Sequence, residues 1–414
     1  MISTLRQRIP KIRLGVPEGE QKAPSPVTTY YLILVPIICL MVMGFVMVFS
    51  ASTILAISEG QNPYAAYIRN LIIMAIGVVT LAIIMRLSER IIRLTTPLVF
   101  LGTLGAQALV LTPLGIEVGG NTNWLAVPLI GQVQPAEALK VGLALWMGWI
   151  LVRPTIDRTN ATHMLVNVGL PVLFSLGLVM AGEDMGTALI FLALVAGALI
   201  VAGIPWRWWL YLAIAATTAV SFFVVQKPSR LTRILGVIPG FREPPSTHLP
   251  EQGDHALWAL GSGGLTGVGP GASREKWNYL AAAHTDFIYA VLGEEMGLIG
   301  TLFVLICFGV LLYGIYRLTT WHQSDFARIT SAAIGAWIGS QAIVNMGFVV
   351  GLTPIIGVPL PLISTGGSAF LFTCVGLGII LGFARHDAGM ERAFGTRNLL
   401  RVNSVRRRRK VLKS

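Results

Sequence analysis

Ten apolar runs, separated by polar connections, constrain the fold of this chain more than any other feature of its sequence. A helix needs about 20 residues to cross the roughly 30 Å hydrocarbon core of a bilayer. Because 54% of the 414 residues are hydrophobic and only 12% are charged, an ordinary soluble domain is excluded. The chain is predicted to be an all-α polytopic membrane protein of about ten transmembrane helices. The predicted spans are Tyr30–Thr53, Tyr67–Met85, Pro97–Thr112, Ala138–Val152, Leu165–Ala181, Thr187–Ala202, Trp208–Val225, Phe287–Tyr316, Ile329–Val350 and Ala369–Phe383.

The basic residues predict how these spans are oriented. An even number of spans places both ends of the chain on one side, and basic segments beside spans stay in the cytoplasm. We therefore predict a cytoplasmic arm at 1–29, a ten-helix domain at 30–384 and a cytoplasmic tail at 385–414. Residues 227–285 then form a large outer loop. The net charge of +12 comes largely from the two ends, which favours contact with anionic membrane lipids and no binding of nucleic acid.

Asp286 stands where the outer loop meets the eighth apolar run. The field of a helix N-terminus favours an ionised carboxylate there, whereas partial loss of solvent opposes ionisation. A carboxylate in this balance can accept a proton near neutral pH. The alternative is that Asp286 or Thr285 only caps the helix, and the sequence leaves both hypotheses open.

Three further ionisable residues, Glu137, Lys140 and Asp184, fall at the same predicted depth as Asp286. Glu137 and Lys140 are three residues apart and share a helix face. Charges at membrane depth usually face a wet cavity or one another. A structural Glu137–Lys140 pair and a capping role for Asp184 are the alternatives, but four such residues at one depth favour a polar cavity that opens outward.

The outer loop carries an excess of cations that suits an anionic ligand. Diphosphates are bound by Arg and Lys side chains and by glycine-rich backbone. The run Gly261–Gly271 is a candidate for such backbone, although a flexible turn is the commoner meaning of a glycine run. The cations of the loop are Lys227, Arg230, Arg233, Arg242, Arg274 and Lys276, against the acidic residues Glu243, Glu251, Asp254 and Glu275.

Seven motifs follow one another in a fixed order between Tyr30 and His386. They are Gln134–Lys140, Asp184–Thr187, Gly263–Gly269, Lys276–Leu280, His284–Phe287, Gly293–Gly297 and Pro359–Ser368. Together they resemble the shape, elongation, division and sporulation (SEDS) family of peptidoglycan glycosyltransferases. The Lys276–Leu280 and Gln341–Asn345 runs are more similar to its FtsW-type branch than to its RodA-type branch.

The resemblance implies an inverting glycosyltransferase that polymerises lipid II into glycan strands for the septal wall and releases undecaprenyl diphosphate. The alternatives are a RodA-type elongation polymerase, a lipid II flippase and a non-catalytic scaffold. Asp286 matches the family's proposed catalytic base. The residues implied at the cavity or the substrate are Glu137, Lys140, Asp184, Trp124, Lys227, Arg230, Arg233, Arg274, Lys276, His284, Thr285, Ser364, Gly366 and Gly367.

The chain departs from the family pattern at four places, and at one of them the family's Tyr-Gln pair survives only as Gln252 after Glu251. Asn123 replaces an arginine before Trp124, Gly182-Glu183 replaces Gln-Pro before Asp184, and Ala281-Ala282 replaces Pro-Glu before the histidine motif. These departures put the substrate contacts near Trp124 and in the loop in doubt, and they leave Asp286 unaffected.

The resemblance also implies partners and a location. The expected partners are lipid II, a class B penicillin-binding protein of the FtsI transpeptidase type, other divisome membrane proteins and membrane lipids. A divalent cation, Mg²⁺ or Mn²⁺, is the candidate cofactor, and whether one is required stays open. The expected location is the bacterial inner membrane at the septum, with the site facing outward. Small residues at Gly335, Gly339 and Ala342 suit either partner docking or internal packing, and we favour packing.

Overall fold

A computed structural model describes residues 25–58, 60, 62–118, 121–127, 131–226, 252–277, 279–280 and 282–389. Within this part of the chain, each of the ten predicted spans is a helix, and an eleventh short helix lies in the outer loop. The helices are α1 Pro26–Ser58, α2 Pro63–Ile84, α3 Glu89–Leu109, α4 Pro135–Leu151, α5 Ala161–Ala181, α6 Met185–Val201, α7 Trp206–Gln226, α8 Gln252–Gly263, α9 Ile288–Trp321, α10 Asp325–Val349 and α11 Gly367–Asp387.

The helices form one bundle around α4 and α10. Helix α10 packs against α4, α6 and α9, while α11 packs against α2 and α1 against α9. Seven helices, namely α1 to α3, α5 and α9 to α11, are long and apolar enough to cross a membrane. Helices α4 and α6 have 17 residues each. The predicted polytopic helical fold is confirmed.

Small residues bring the central helices together. A Cβ atom on Gly335 would lie 2.7 Å from the Ile315 side chain, and one on Gly339 would lie 3.0 Å from Leu312. Ala342 on the same helix is fully buried. These residues therefore serve internal packing, as we favoured.

The connection between α3 and α4 contains a small antiparallel sheet that the sequence did not lead us to expect. Strands β1 Gly115–Val118, β2 Asn121–Val127 and β3 Gly131–Val133 pair in the order β1-β2-β3. Strand β3 leads directly into α4. The sheet therefore lies beside the end of α4 that carries the first charged motif.

Helix α9 is broken at Gly297, whose φ of 65° is outside the helical range. The break leaves the carbonyls of Glu294 and Glu295 and the amides of Leu298 and Ile299 without their helical partners. All residues from 288 to 295 are buried, whereas exposed apolar side chains begin at Leu298. The lipid-facing part of α9 therefore starts after the break.

The glycine run after α8 supplies the missing partners. Val268 N donates to Glu294 O at 2.9 Å and Gly269 N donates to Glu295 O at 3.1 Å. On the other side of the break, Gly264 O accepts from Leu298 N at 3.0 Å, and Leu265 O accepts from Ile299 N at 3.2 Å. This run is thus inserted into the broken helix. The amides of Val268 and Gly269 are therefore not available to a diphosphate.

Candidate functional site

Asp286 lies two residues before α9, and its side chain is half-buried. The N-cap residue of α9 is Phe287, and no side chain caps the helix. Within the described part of the chain, the Asp286 carboxylate accepts no hydrogen bond. A Cβ atom on Gly357 would lie 3.4 Å from its Oδ2 atom. The capping hypothesis is therefore wrong, and the carboxylate is available for chemistry.

The backbone that carries Asp286 is fixed at three consecutive carbonyls. Asn345 Nδ2 donates to the Asp286 carbonyl at 2.8 Å, and the Ser364 hydroxyl donates to the Thr285 carbonyl at 2.7 Å. The Thr365 hydroxyl donates to the preceding carbonyl, that of His284, at 2.6 Å. The residues around Asp286 are thus held by α10 and by the loop before α11, while its side chain stays unbound.

Asp184 is held much more tightly. It is the N-cap residue of α6 and accepts from Thr187 N at 2.9 Å and from the Thr187 hydroxyl at 2.8 Å. Gln134 Nε2 adds a third hydrogen bond at 2.8 Å. Asp184 therefore caps a helix and also joins α6 to the start of α4.

Burial raises the pKa of both carboxylates. Burial raises the pKa of Asp184 above its ordinary value, while the Thr187 hydrogen bonds, the Lys140 charge and the Gln134 hydrogen bond oppose the rise. Burial, with a further contribution from the Asp184 charge, raises the pKa of Asp286 to about 6. A carboxylate with this pKa is mostly ionised at neutral pH and is basic enough to take a proton.

Glu137 and Lys140 form a covered ion pair on α4. Their atoms approach to 2.8 Å, and the two side chains are 1% and 0% exposed. Lys140 also donates to Gln341 Oε1 at 3.0 Å and lies 4.9 Å from the centre of the Trp337 ring. Gln341 in turn donates to the Pro359 carbonyl at 2.8 Å. The structural pair is therefore confirmed, and the prediction that these side chains line an open cavity is wrong because α10 covers them.

Lys276 is also paired instead of free. It is 6% exposed, and its ammonium lies 2.5 Å from Glu295 Oε1. Our assignment of Lys276 as a substrate contact is wrong, since a buried and paired ammonium has no access to a ligand. The neighbouring Arg274 side chain is exposed and keeps that access.

Ser364, Gly366 and Gly367 support the site from behind. Ser364 is 5% exposed, so it positions the Thr285 carbonyl and does not face a ligand. Gly366 is the N-cap residue of α11, and a Cβ atom on Gly367 would lie 3.2 Å from Ile73 on α2. These glycines allow α11 to begin close to α2.

Two of the departures from the family pattern touch each other. An added Cβ on Gly182 would lie 2.0 Å from Asn123 Oδ1, so the residue that replaces an arginine packs on the turn that replaces Gln-Pro. Asn123 is 3% exposed. The register shift between Ile116 and Glu117 leaves Asn123 unpaired as a β-bulge in β2. Trp124, the next residue, is half-buried.

Lys227, Arg230 and Arg233 lie outside the described residues, as does Ala281. Among the residues that the structure describes, no group of three or more His, Cys, Asp or Glu side chains could hold a metal ion. The polar pair Gln341 and Asn345, one helical turn apart in an apolar helix, is the site feature that we missed although its spacing was visible in the sequence.

These features define a class of protein: a multi-pass helical membrane protein with an acidic site at one end of its bundle. The chain belongs to the FtsW/RodA/SpoVE family of cell cycle proteins, which matches residues 30–389. The resemblance found from the seven motifs is thereby confirmed, and membership makes the chain a multi-pass inner membrane protein.

Relatives and solved structures agree with this membership. A probable peptidoglycan glycosyltransferase FtsW of Mycobacterium tuberculosis is 31% identical over 379 residues, covering 91% of this chain and 71% of the relative. One of Nitrosococcus halophilus is 34% identical, with 83% and 89% covered. A structure on the coordination of polymerization and crosslinking by a peptidoglycan synthase complex matches at TM-score 0.67 and 26% identity, covering 88% of this chain and 99% of that chain. The rod shape determining protein RodA of Thermus thermophilus matches at TM-score 0.63 and 26% identity, with 86% and 97% covered.

Proposed function

We propose that this chain is an inverting peptidoglycan glycosyltransferase that polymerises lipid II into glycan strands for septal wall synthesis during cell division. The names of its relatives and the shared fold support this activity. The observation that carries the proposal is the Asp286 carboxylate, which has a fixed backbone and no hydrogen-bond partner in the described part of the chain.

In the proposed reaction, Asp286 acts as general base. The 4-hydroxyl of one GlcNAc attacks the anomeric carbon of the MurNAc on the growing chain, and Asp286 takes the hydroxyl proton as the new bond forms. The bond from the anomeric carbon to oxygen breaks on the opposite side, and undecaprenyl diphosphate leaves with its electron pair. General-base catalysis of this kind contributes about 10²- to 10⁴-fold in rate.

The leaving diphosphate needs positive charge. Among the residues that the structure describes, Arg274 is our candidate for this charge because its side chain is exposed and lies two residues before the anchored Lys276. Lys227, Arg230 and Arg233 remain candidates from the sequence. A divalent cation at this point would be coordinated mainly by phosphate oxygens and water, which is how Mg²⁺ is often bound at diphosphates.

We also propose the orientation and the partner. Both ends of the chain lie in the cytoplasm, and the site faces outward at the septum, as the basic ends favour. The partner is a class B penicillin-binding protein that crosslinks the strands. The structural likeness to a complex that couples polymerization with crosslinking supports this pairing.

The Asp286→Asn variant tests the proposed activity. We expect it to remain folded and to form no glycan strands, because an amide keeps the size of the carboxylate but cannot accept the proton. Purified protein, with and without its transpeptidase partner, is incubated with lipid II, and the strands are separated by gel electrophoresis.

The matched control is Asp157→Asn, in the loop between α4 and α5, where the carboxylate bonds only its own turn. This control should polymerise at the wild-type rate. Strand formation by Asp286→Asn at the wild-type rate would remove the basis of the proposal.

A further inference from the structure

Two adjacent carboxylates on α9, Glu294 and Glu295, hold the segment that precedes Asp286. Glu294 Oε1 accepts a hydrogen bond from the backbone amide of Arg274 at 2.9 Å. Glu295 Oε1 lies 2.5 Å from the Lys276 ammonium. The loop that carries Asp286 is therefore attached to the same helix that Asp286 precedes, about two turns further along.

Ser50 on α1 completes the buried cluster. Its hydroxyl donates to Glu295 Oε1 at 2.6 Å and accepts from Lys276 Nζ at 2.7 Å. The Lys276 and Glu295 side chains are each 1% exposed, so the ion pair is shielded from water. We call Ser50, Lys276 and Glu295 the latch. It joins three parts of the chain: α1, the outer loop and α9.

The latch is a poor device for stability alone. Removing a charge pair from water offsets most of its attraction, and replacing both partners by apolar side chains is often neutral or stabilising. A buried pair does restrict geometry, because each charge needs its partner at one place. The contribution of the latch is therefore better explained by the position in which it holds the loop than by stability.

Two hydrogen-bonded turns lie between the latch and Asp286. Leu280 N donates to the Glu275 carbonyl at 2.9 Å, and Thr285 N donates to the Ala282 carbonyl at 3.1 Å. The first turn spans Lys276, and the second ends directly before Asp286.

We propose that the latch residues Lys276, Glu295 and Ser50 are positioning residues for polymerisation. They hold loop residues 273–285 in the register that presents Asp286 and Arg274 to the same substrate. None of the three touches the reacting atoms, and the inference rests on the proposed function.

The test is a double variant, Lys276→Met with Glu295→Met, in the full-length protein with its transpeptidase partner. Because both charges are removed together, we expect the thermal unfolding temperature in detergent to stay the same or rise. We expect kcat for lipid II polymerisation to fall by about 10- to 100-fold, the effect of a misplacement near 1 Å. KM should change less than kcat, whereas damage to the fold alone would reduce the active fraction and the unfolding temperature together.

The control removes a different ion pair, Asp325–Arg328 on α10, at 2.9 Å. The change is Asp325→Asn with Arg328→Met. This pair lies about 25 Å along the helix from Asn345, and its loss should leave kcat unchanged.

Each outcome decides one question. Wild-type kcat in the stable double variant overturns the latch, while a wild-type protein that forms no strands overturns the proposed function instead. If the double variant does not fold, Ser50→Ala decides: reduced kcat at unchanged unfolding temperature supports the latch, and full kcat overturns it.

Discussion

Asp286 and Asp184 show how two nearby carboxylates acquire different roles. Asp184 accepts three hydrogen bonds, which commit its oxygens to Thr187 and Gln134. Asp286 has none in the described part of the chain and is fixed only through its backbone. An enzyme separates its acid-base group from its structural carboxylates by such differences in surroundings.

The raised pKa of Asp286 makes a prediction about pH. The base must be deprotonated, so activity is present above its pKa and is lost as pH falls through about 6. The Asp184→Asn variant keeps a capping side chain but removes a negative charge, so it should lower the pKa of Asp286. We expect the acidic limb of the kcat profile to move to lower pH in that variant.

The measurement is the initial rate of lipid II polymerisation across the acidic and neutral range. Samples exposed to acid are then returned to one fixed pH and assayed again, to confirm that the protein recovers its activity. Asp157→Asn serves again as the control and should leave the acidic limb in place. A wild-type rate that stays constant down to about pH 5 would contradict a base of this pKa.

At the residue scale, the sequence predicted a site at Asp286, whose carboxylate accepts no hydrogen bond in the described part of the chain, but it misassigned Lys276. Asp286 lies beside a helix start, which is a local feature that motif and charge reveal. Lys276 owes its role to Ser50, 226 positions away, and to Glu295, 19 positions away. A lysine in an outer loop looks free until the chain that covers it is folded.

At the scale of elements, the break in α9 depends on two glycines. Gly297 has a φ of 65° and Gly267 has a φ of 81°. A Cβ atom added to Gly267 would lie only 2.1 Å from the Glu295 carbonyl oxygen. Side chains at such positions are strained by their conformation and by contact. The glycine run and the break are therefore one unit.

Replacing Gly297 with Ala should damage this unit. The new Cβ would lie 2.4 Å from Gly267 N, and the left-handed conformation adds its own strain. We expect a loss of more than about 2 kcal/mol in stability, measured as a lower thermal unfolding temperature in detergent. Polymerisation should fall as well, because Glu294 and Glu295 precede the break.

Gly309 provides the control on the same helix. No atom lies within 4 Å of the Cβ it would gain, and its conformation is helical. Gly309→Ala should be neutral or raise stability by about 0.5–1 kcal/mol. Equal behaviour of the two variants would show that the break is not strained.

The sequence predicted long helices well and short elements poorly. Apolar runs predict a helix regardless of what surrounds it, so a helix lies at each of the ten predicted places. Seven of the described helices are long and apolar enough to cross a membrane. Strands β1 to β3 and helix α8 are too short to give a clear apolar run, and α8 packs against α9. The Gly261–Gly271 run was ambiguous because glycine permits many conformations, and only the broken helix beside it selects one.

At the scale of the whole molecule, the proposed orientation can be tested by chemical labelling. Thr155, between α4 and α5, should face the cytoplasm, and Ala272, in the outer loop, should face outward; both are exposed. With the natural cysteines replaced, Thr155→Cys should resist a membrane-impermeant maleimide in intact cells, while Ala272→Cys should react.

Labelling after the membrane is permeabilised is the control, since both positions should then react. The opposite labelling pattern in intact cells would show that the bundle has the inverted orientation in the membrane. Asp286 would then lie on the cytoplasmic side, and a polymerase of the septal wall would be excluded.

The break in α9 also determines how much of this helix presents an apolar surface. An unbroken helix of 34 residues would be about 51 Å long, more than a bilayer's hydrocarbon requires. Because exposed apolar side chains begin only after Gly297, the exposed apolar surface of α9 ends before the turns that lead to Asp286. In the proposed reaction, the saccharide can then be joined in water while the isoprenoid chain of its carrier stays in the lipid.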